Sequence, residues 1–318
     1  MYSTTFGVLH AESKSEVRPE TVFRAASLSK PVFAYLVLRM AEERILELDR
    51  PLYRYLDKPI TDFAEYSDLK DDPRLNTVTA RMALTHTAGF PNWRWQNPDG
   101  KLNLQSDPGS RFSYSGEGYR FLQFVLERMT SKSLNQLCHE TVFAPLAMER
   151  SSFILERRRS DNIALDVNSL PPFFRDKLLN EENAAGSLVT TAPDYARFLI
   201  AAMDGEGLSR NRHREMLRAQ VIVRTKALFG PMAQEITREN EKIALSWALG
   251  WGRFKSRIGE VYFHVGTEDG FENYTVYFSG PKIGLVVLSS GPDPRGTAKT
   301  IANELIGDTF SPFSWMGY

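Results

Sequence analysis

The 318-residue sequence predicts an α+β protein, with an antiparallel sheet formed by N- and C-terminal segments, flanked by helices, and a mainly helical inserted domain. Three observations predict it. Short strand-like stretches occur near the N-terminus, at residues 4–9 and 21–25. Three more follow near the C-terminus: Val261-Tyr262-Phe263-His264, Tyr274-Thr275-Val276-Tyr277-Phe278 and Ile283-Gly284-Leu285-Val286-Val287-Leu288. Turn residues separate them, Glu268-Asp269-Gly270 and Ser279-Gly280-Pro281-Lys282, which is the texture of an antiparallel meander. Between the two ends, apolar residues recur at helical spacing. On this pattern residues 1–50 and 243–318 form the sheet domain and residues 51–242 the helical one.

In chain order, Ser27 to Glu43 is the first helix. Val32, Tyr35, Leu36, Leu38, Arg39 and Met40 fall three and four apart, and Pro31 lies in the first turns, where backbone N–H groups lack helical partners anyway. Residues 58–78 are charged and irregular, broken by Pro59 and Pro73. A short helix at 80–86 ends before Gly89, and two more cover 116–131 and 133–140. Residues 155–183 are polar and contain prolines, which predicts a long surface loop. Residues 192–204 and 210–219 read as helices, and a closing helix runs from about 295 to 306. The aromatic tail, residues 310–318, is expected to pack back on the body.

Composition narrows the class of function. Apolar residues at 42% supply a sizeable core, so a disordered chain is excluded. Lys plus Arg total 39 and Asp plus Glu total 39, so no global field steers the chain onto nucleic acid or an anionic membrane. The one basic run, Arg157-Arg158-Arg159, reads as a solvated loop or helix end. A single cysteine, Cys138, allows no intrachain disulfide and fits a reducing compartment. No apolar run is long enough to span a bilayer. The N-terminus as written is not a signal peptide, which suggests the cytoplasm, or the periplasm or exterior where a leader has been removed. A monomer acting on a small-molecule or peptide substrate is expected. No metal is expected, because there is no His-Glu-x-x-His, cysteine cluster or paired Asp motif, and His10, His139 and His213 are scattered. No cofactor is expected either: Gly116-Glu117-Gly118 lacks the third glycine of a nucleotide fingerprint, and no Gly-x-Ser-x-Gly elbow occurs.

The sharpest chemical feature is Ser27-Leu28-Ser29-Lys30 at the start of the first helix. A spacing of three puts both side chains on one face, one turn apart. A serine hydroxyl needs a base in contact to act as a nucleophile, and a lysine serves when burial lowers its pKa. Alone the tetrad is weak, since Ser27 could equally be a helix cap. Two further segments agree with it. Phe112-Ser113-Tyr114-Ser115-Gly116-Glu117 places a tyrosine at the mouth of a helix, where it could exchange a proton with a lysine. His264-Val265-Gly266-Thr267 lies at a strand edge, where Gly266 lets a substrate approach the backbone.

Together these segments resemble the class C β-lactamase and penicillin-binding-protein-like serine hydrolases, which carry Ser-x-x-Lys, Tyr-x-Asn and Lys/His-x-Gly in this order. Further segments match: Leu84-Thr85-His86-Thr87-Ala88-Gly89-Phe90, Pro145-Leu146-Ala147-Met148 with Ser151-Ser152-Phe153, Ala184-Ala185-Gly186-Ser187, and Leu249-Gly250-Trp251-Gly252. The resemblance spans about residues 5–307 and implies that family's fold and acyl-enzyme chemistry. By resemblance, Ser27 is the nucleophile, and Lys30 and Tyr114 share the proton work with coupled titrations. The backbone N–H groups of Ser27 and Thr267 form the oxyanion hole, and His264 holds Tyr114 or a substrate carboxylate.

Two departures stand out. Gly116 occupies the place of the family's Asn, which removes an amide-reading group, and Glu117 either replaces it in part or disturbs Lys30 as a neighbouring charge. Only 26 residues precede Ser27, so either the sheet lacks an edge element or the chain is truncated. Gly116, Glu117, Gly266, Trp93 and Trp95 are the candidate substrate-binding residues, the two tryptophans as the border of an apolar acyl or aryl subsite, although core packing is the simpler reading of each. His86 reads as a buried histidine bonding its own loop. The expected activity is hydrolysis of small esters or amides, esterase-like or D-amino-acid-peptidase-like. A β-lactamase or D-Ala-D-Ala carboxypeptidase is the alternative within this chemistry. A catalytically silent protein that binds peptides or cell-wall fragments is the alternative outside it.

Overall fold

Short strands at the front of the chain and long ones at the back bracket a run of helices in the computed structural model, which describes residues 1–318 apart from 11, 13, 156–161, 166–170 and 292–295. Strand β1 (Phe23–Arg24) leads through a 3-10 turn, Ala26–Leu28, into helix α1 (Ser29–Glu42). Then come α2 (Ala80–Leu84), α3 (Gly116–Thr130), α4 (Leu134–Cys138), α5 (Pro172–Asn180), strand β2 (Val189–Thr190), α6 (Ala192–Asp204) and α7 (Arg210–Leu217). The rest is β3 (Val221–Ile222), β4 (Ser246–Trp247), β5 (Gly252–Ser256), β6 (Gly259–Glu268), β7 (Phe271–Phe278), β8 (Ile283–Val287), α8 (Thr297–Ile306) and α9 (Phe313–Met316). The α+β class with antiparallel pairing and flanking helices is as expected.

Within that class the large sheet has its own membership. Six antiparallel strands lie in sequence order, β3-β4-β5-β6-β7-β8, so all of it comes from residues 221–287. The N-terminal strand does not join it: β1 pairs with β2 in a separate two-stranded sheet, Phe23 opposite Thr190. The reason is apolar. Val22 is buried with Leu155, Ile163, Leu178 and Val189 in a small apolar cluster separate from the one on the large sheet. Residues 4–9 likewise pair locally, through a Val8–Glu16 bridge and the bond from Leu9 N–H to Ser15 C=O, a short closure of low entropic cost.

The surface loop expected over residues 155–183 contains α5, with Pro172 at its start and Leu178 anchored in that cluster. The Arg157-Arg158-Arg159 run lies outside the described residues. The sequence also understated the sheet, because β3, β4 and β5 are short and partly polar. Strand β5 is held to β6 by a cross-strand ion pair, Arg253 Nε donating to Glu260 Oε2 at 3.1 Å.

Two large apolar clusters carry the chain. One surrounds α1, in which every residue but Arg39 and Glu42 is buried; a helix apolar nearly all round is a central one. The other lies on the large sheet and takes in Tyr114, Trp247, Phe263, Val265 and the tail residues Phe313, Trp315 and Met316. The turn before α1 packs on β6 and β7. The segments bearing Ser27, Tyr114 and His264 therefore meet where the two clusters abut. No helix among the described residues is long and apolar enough to cross a membrane.

Candidate active site

Ser27 is set by a strained turn rather than by a helix cap. Ala26, immediately before it, has φ +48°, a left-handed conformation uncommon for a residue with a Cβ. Neither the turn nor α1 has a side-chain cap at its start, so the capping role open to Ser27 is not used. Instead its Oγ accepts a hydrogen bond from Lys30 Nζ at 3.0 Å. Lys30 is fully buried, and its second acceptor is the Ala185 carbonyl at 2.8 Å. Both acceptors are uncharged. Burial holds the Lys30 ammonium well below the usual lysine range. Three rings surround it, with centroids at 4.8 Å (Tyr114), 5.6 Å (Tyr119) and 6.0 Å (Trp93) from Nζ.

Tyr114 comes from the segment before α3. Burial raises the pKa of its phenol, and the nearby Ser27 hydroxyl offsets this in part. The phenol oxygen is buried and makes no hydrogen bond. His264, on β6, is buried too, its ring centroid 6.2 Å from that of Tyr114. Its Nδ1 faces the Val265 carbonyl at 2.7 Å, so Nδ1 carries the proton and Nε2 presents a lone pair with no partner. Burial, with Lys30 nearby, pushes its pKa down to about 3. A neutral imidazole offers no charge to a substrate carboxylate, so of the two expected roles its chemistry suits an acceptor for a hydroxyl donor such as Tyr114.

Gly266 lies directly against the Ser27 turn. A Cβ there would fall inside contact distance of the Ala25 carbonyl oxygen and 3.1 Å from Leu28 Cγ. Asn273, on β7 and fully buried, ties the two elements together. Its Nδ2 donates to the Arg24 carbonyl at 3.0 Å and to the Gly266 carbonyl at 3.1 Å. Thr267, next along β6, is exposed beside this junction.

The absent side chain of Gly116 is accounted for by Trp93. A Cβ on residue 116 would lie 2.5 Å from the indole, so the ring fills space that any larger residue would claim. Trp95, 58% exposed, stacks on Trp93 with centroids 4.7 Å apart and planes 9° from parallel. The loop bearing them is pinned to the start of α3. Gly116 N–H donates to Asn92 Oδ1 at 3.0 Å, and Arg94 pairs with Glu117 at 2.9 Å. Here one expectation is corrected. The Glu117 carboxylate is neither open to the cleft nor bonded to Lys30: it is fully buried and committed to the Arg94 guanidinium and backbone N–H. A buried carboxylate needs such a partner, and Arg94 on the tryptophan loop supplies it.

Sequence reasoning missed Arg94 in that role, the Ala185 carbonyl and Asn273. Arg94 sits between the two tryptophans, a signal that was available. A carbonyl acceptor leaves no mark on side-chain identity, and Asn273 lies inside a strand pattern. Among the described residues no group of His, Cys, Asp and Glu could hold a metal ion.

A hydroxyl in contact with a buried amine, beside a buried phenol and a strand edge, is an arrangement suited to nucleophilic attack and proton transfer. Comparison with known proteins points the same way. The family model described as Beta-lactamase matches residues 1–307. Penicillin-binding protein 4 of Amycolatopsis lactamdurans is 21% identical over 97% of this chain and 82% of its own length. Protein flp of Staphylococcus aureus is 20% identical over 90% of this chain, which spans only 56% of that relative. The D-amino acid amidase of Ochrobactrum anthropi SV3, in complex with L-phenylalanine, has a similar fold: TM-score 0.65, 20% identity, covering 89% of this chain and 80% of that one.

Proposed function

Because the chain belongs to the Beta-lactamase family and is a serine hydrolase, we propose that it cleaves small esters, ahead of amides, through an acyl-enzyme on Ser27. The main support is the 3.0 Å contact of Ser27 Oγ with an amine that burial makes easier to deprotonate. Lys30 takes the Ser27 proton as Oγ attacks the ester carbonyl carbon. The backbone N–H groups of Ser27 and Thr267 stabilise the oxyanion. The carbon–oxygen bond to the alcohol then breaks, and the proton passes through Lys30 and Tyr114 to the departing oxygen. Water next attacks the acyl carbon and gives up its proton by the same route. The acid leaves and Ser27 recovers its hydrogen. His264 offers its unpartnered Nε2 as an acceptor on the Tyr114 side of the site.

Ser27 is tested by mass spectrometry after reaction with a fluorophosphonate. An adduct on the Ser27 peptide, absent from Ser27→Ala, together with turnover of p-nitrophenyl esters, is the expected result. No adduct and no turnover would instead favour the silent binding protein. Side-by-side rates on short-chain esters, nitrocefin and D-Ala-D-Ala peptides rank the ester reading against the β-lactamase and carboxypeptidase readings.

The preference for esters with an apolar or aromatic acyl group rests on Trp93. Its ring stands beside Lys30 in the space over Gly116, so that wall offers an aromatic face where an amide could have paired with a substrate amide. Trp93→Ala is expected to lower kcat/KM for a phenylacetyl ester about tenfold relative to an acetyl ester. An equal change for both esters removes Trp93 from substrate recognition.

A further inference from the structure

We propose that His86 is a positioning residue for Tyr114. It holds the tyrosine on both sides and across its face, and so sets where the phenol stands relative to Ser27 and Lys30. The proposal rests on the reading of Tyr114 given above.

The Tyr114 hydroxyl makes no well-formed hydrogen bond, with only the Ser27 hydroxyl close beside it, so its tip anchors the ring weakly. Its position must come from its backbone and from the surfaces packed on it, and His86 supplies both. The His86 carbonyl accepts the N–H of Ser113 at 2.8 Å. His86 Nδ1 accepts the N–H of Ser115 at 3.0 Å. One residue thus clamps the two neighbours of Tyr114 in the chain. The imidazole also lies on the phenol ring, with centroids 4.2 Å apart and planes 32° apart. The other rings around Tyr114 are more distant, with Phe229 at 5.1 Å, Trp247 at 5.9 Å and His264 at 6.2 Å.

The imidazole is itself fixed. It is fully buried, with Tyr119 at 5.2 Å and Trp247 at 5.1 Å. Because Nδ1 accepts a backbone proton, the ring hydrogen sits on Nε2, and burial keeps the ring neutral. With one nitrogen occupied and the other protonated, His86 has no free lone pair to act as a base. It acts through Tyr114.

The backbone narrows which residues can do this. His86 has φ +57°, a left-handed conformation that Gly and Asn tolerate and most side chains resist. Asn also places an acceptor oxygen about where Nδ1 stands, but it lacks the ring. His86→Asn therefore keeps the turn and the clamp on Ser115, and His86→Gly keeps the turn alone.

The test is a double-mutant cycle on the full chain, read as kcat and KM with a p-nitrophenyl ester below the thermal transition of every variant. His86→Gly is expected to lower kcat about 100-fold with KM little changed, the scale of a misplaced catalytic group. His86→Asn is expected to recover about tenfold of that loss. In a Tyr114→Phe background either replacement should cost less than about threefold, because the group it positions is gone. Equal losses in both backgrounds overturn the proposal and leave His86 a purely structural residue. If His86→Gly does not fold, His86→Asn in the two backgrounds decides on the same criterion. If Tyr114→Phe alone is silent, the assignment of Tyr114 fails and His86 falls with it, whereas loss in Tyr114→Phe without coupling condemns the His86 proposal alone.

Discussion

Lys30→Met is expected to lower kcat/KM about 10³-fold, with the protein still folded. Methionine keeps much of the buried stem and its volume while removing the amine that touches Ser27 Oγ. The hydroxyl then has no base in contact, because the Tyr114 phenol is held above its usual pKa by burial and stays protonated at neutral pH. Lys30→Arg is expected to fail as well, since a guanidinium does not release its proton in this range. The pH profile supplies the sign. An amine works as a base only when neutral, and burial lowers the pKa of Lys30. The competent fraction is therefore present above that lowered pKa and lost as pH falls through it. The kcat/KM of the wild type is expected to show an acid limb at a pH below the ordinary lysine range, and Lys30→Met is expected to lose that limb. His264, with its pKa near 3, titrates too low to produce it. Acylation of Lys30→Met at the wild-type rate, measured by stopped-flow burst, would assign the base elsewhere.

Gly266→Ala is expected to be nearly as damaging, for a different reason. The new methyl would press on the Ala25 carbonyl oxygen and stand 3.1 and 3.2 Å from Leu28 Cγ and N. These are the residues of the turn that presents Ser27, and backbone cannot yield as a side-chain tip does. Strand β6 and the turn must separate, and the proposed pair of oxyanion donors, one on each, separates with them. Losing one such donor costs about 10²-fold in kcat. Overpacking of a tight contact costs about 1–3 kcal/mol of stability. Steady-state kinetics and thermal unfolding of the variant measure the two effects. Activity within threefold of wild type would mean that the turn and β6 can part without consequence for the reaction.

The two replacements probe links of different range. Ser27 and Lys30 are three residues apart, and the local turn-to-helix geometry puts their side chains within reach of the 3.0 Å contact. Gly266 meets Ala25 across more than two hundred residues of chain, and that contact exists only because the sheet and the helical part close on each other. A variant at Lys30 therefore tests the chemistry, and one at Gly266 tests the assembly that delivers an oxyanion site to it.

Much of the fold was legible. Period-three and period-four spacing marked α1, because a buried helix face must repeat with the helix turn. Runs of β-branched and aromatic residues between turn residues marked β6, β7 and β8. Strand partnership was less legible. Residues 21–25 read correctly as extended, yet nothing local says that Phe23 faces Thr190 rather than the large sheet. Helix α5 was hidden among polar residues, because its hold on the protein comes chiefly from Leu178.

Taken alone, the amino-acid order determined the class of fold, the family and the Ser27–Lys30 contact, because each depends on spacing along the chain or on motifs in order. Only the tertiary structure decided which way Glu117 turns, that Trp93 fills the space over Gly116, that the Ala185 carbonyl receives Lys30 and that His86 clamps Tyr114. All four are matters of which polar atom or ring is nearest once distant segments have packed. Burial makes those pairings obligatory, since an unpaired carboxylate or ammonium in the interior is costly. Which partner each group finds is set by the closing of the whole chain.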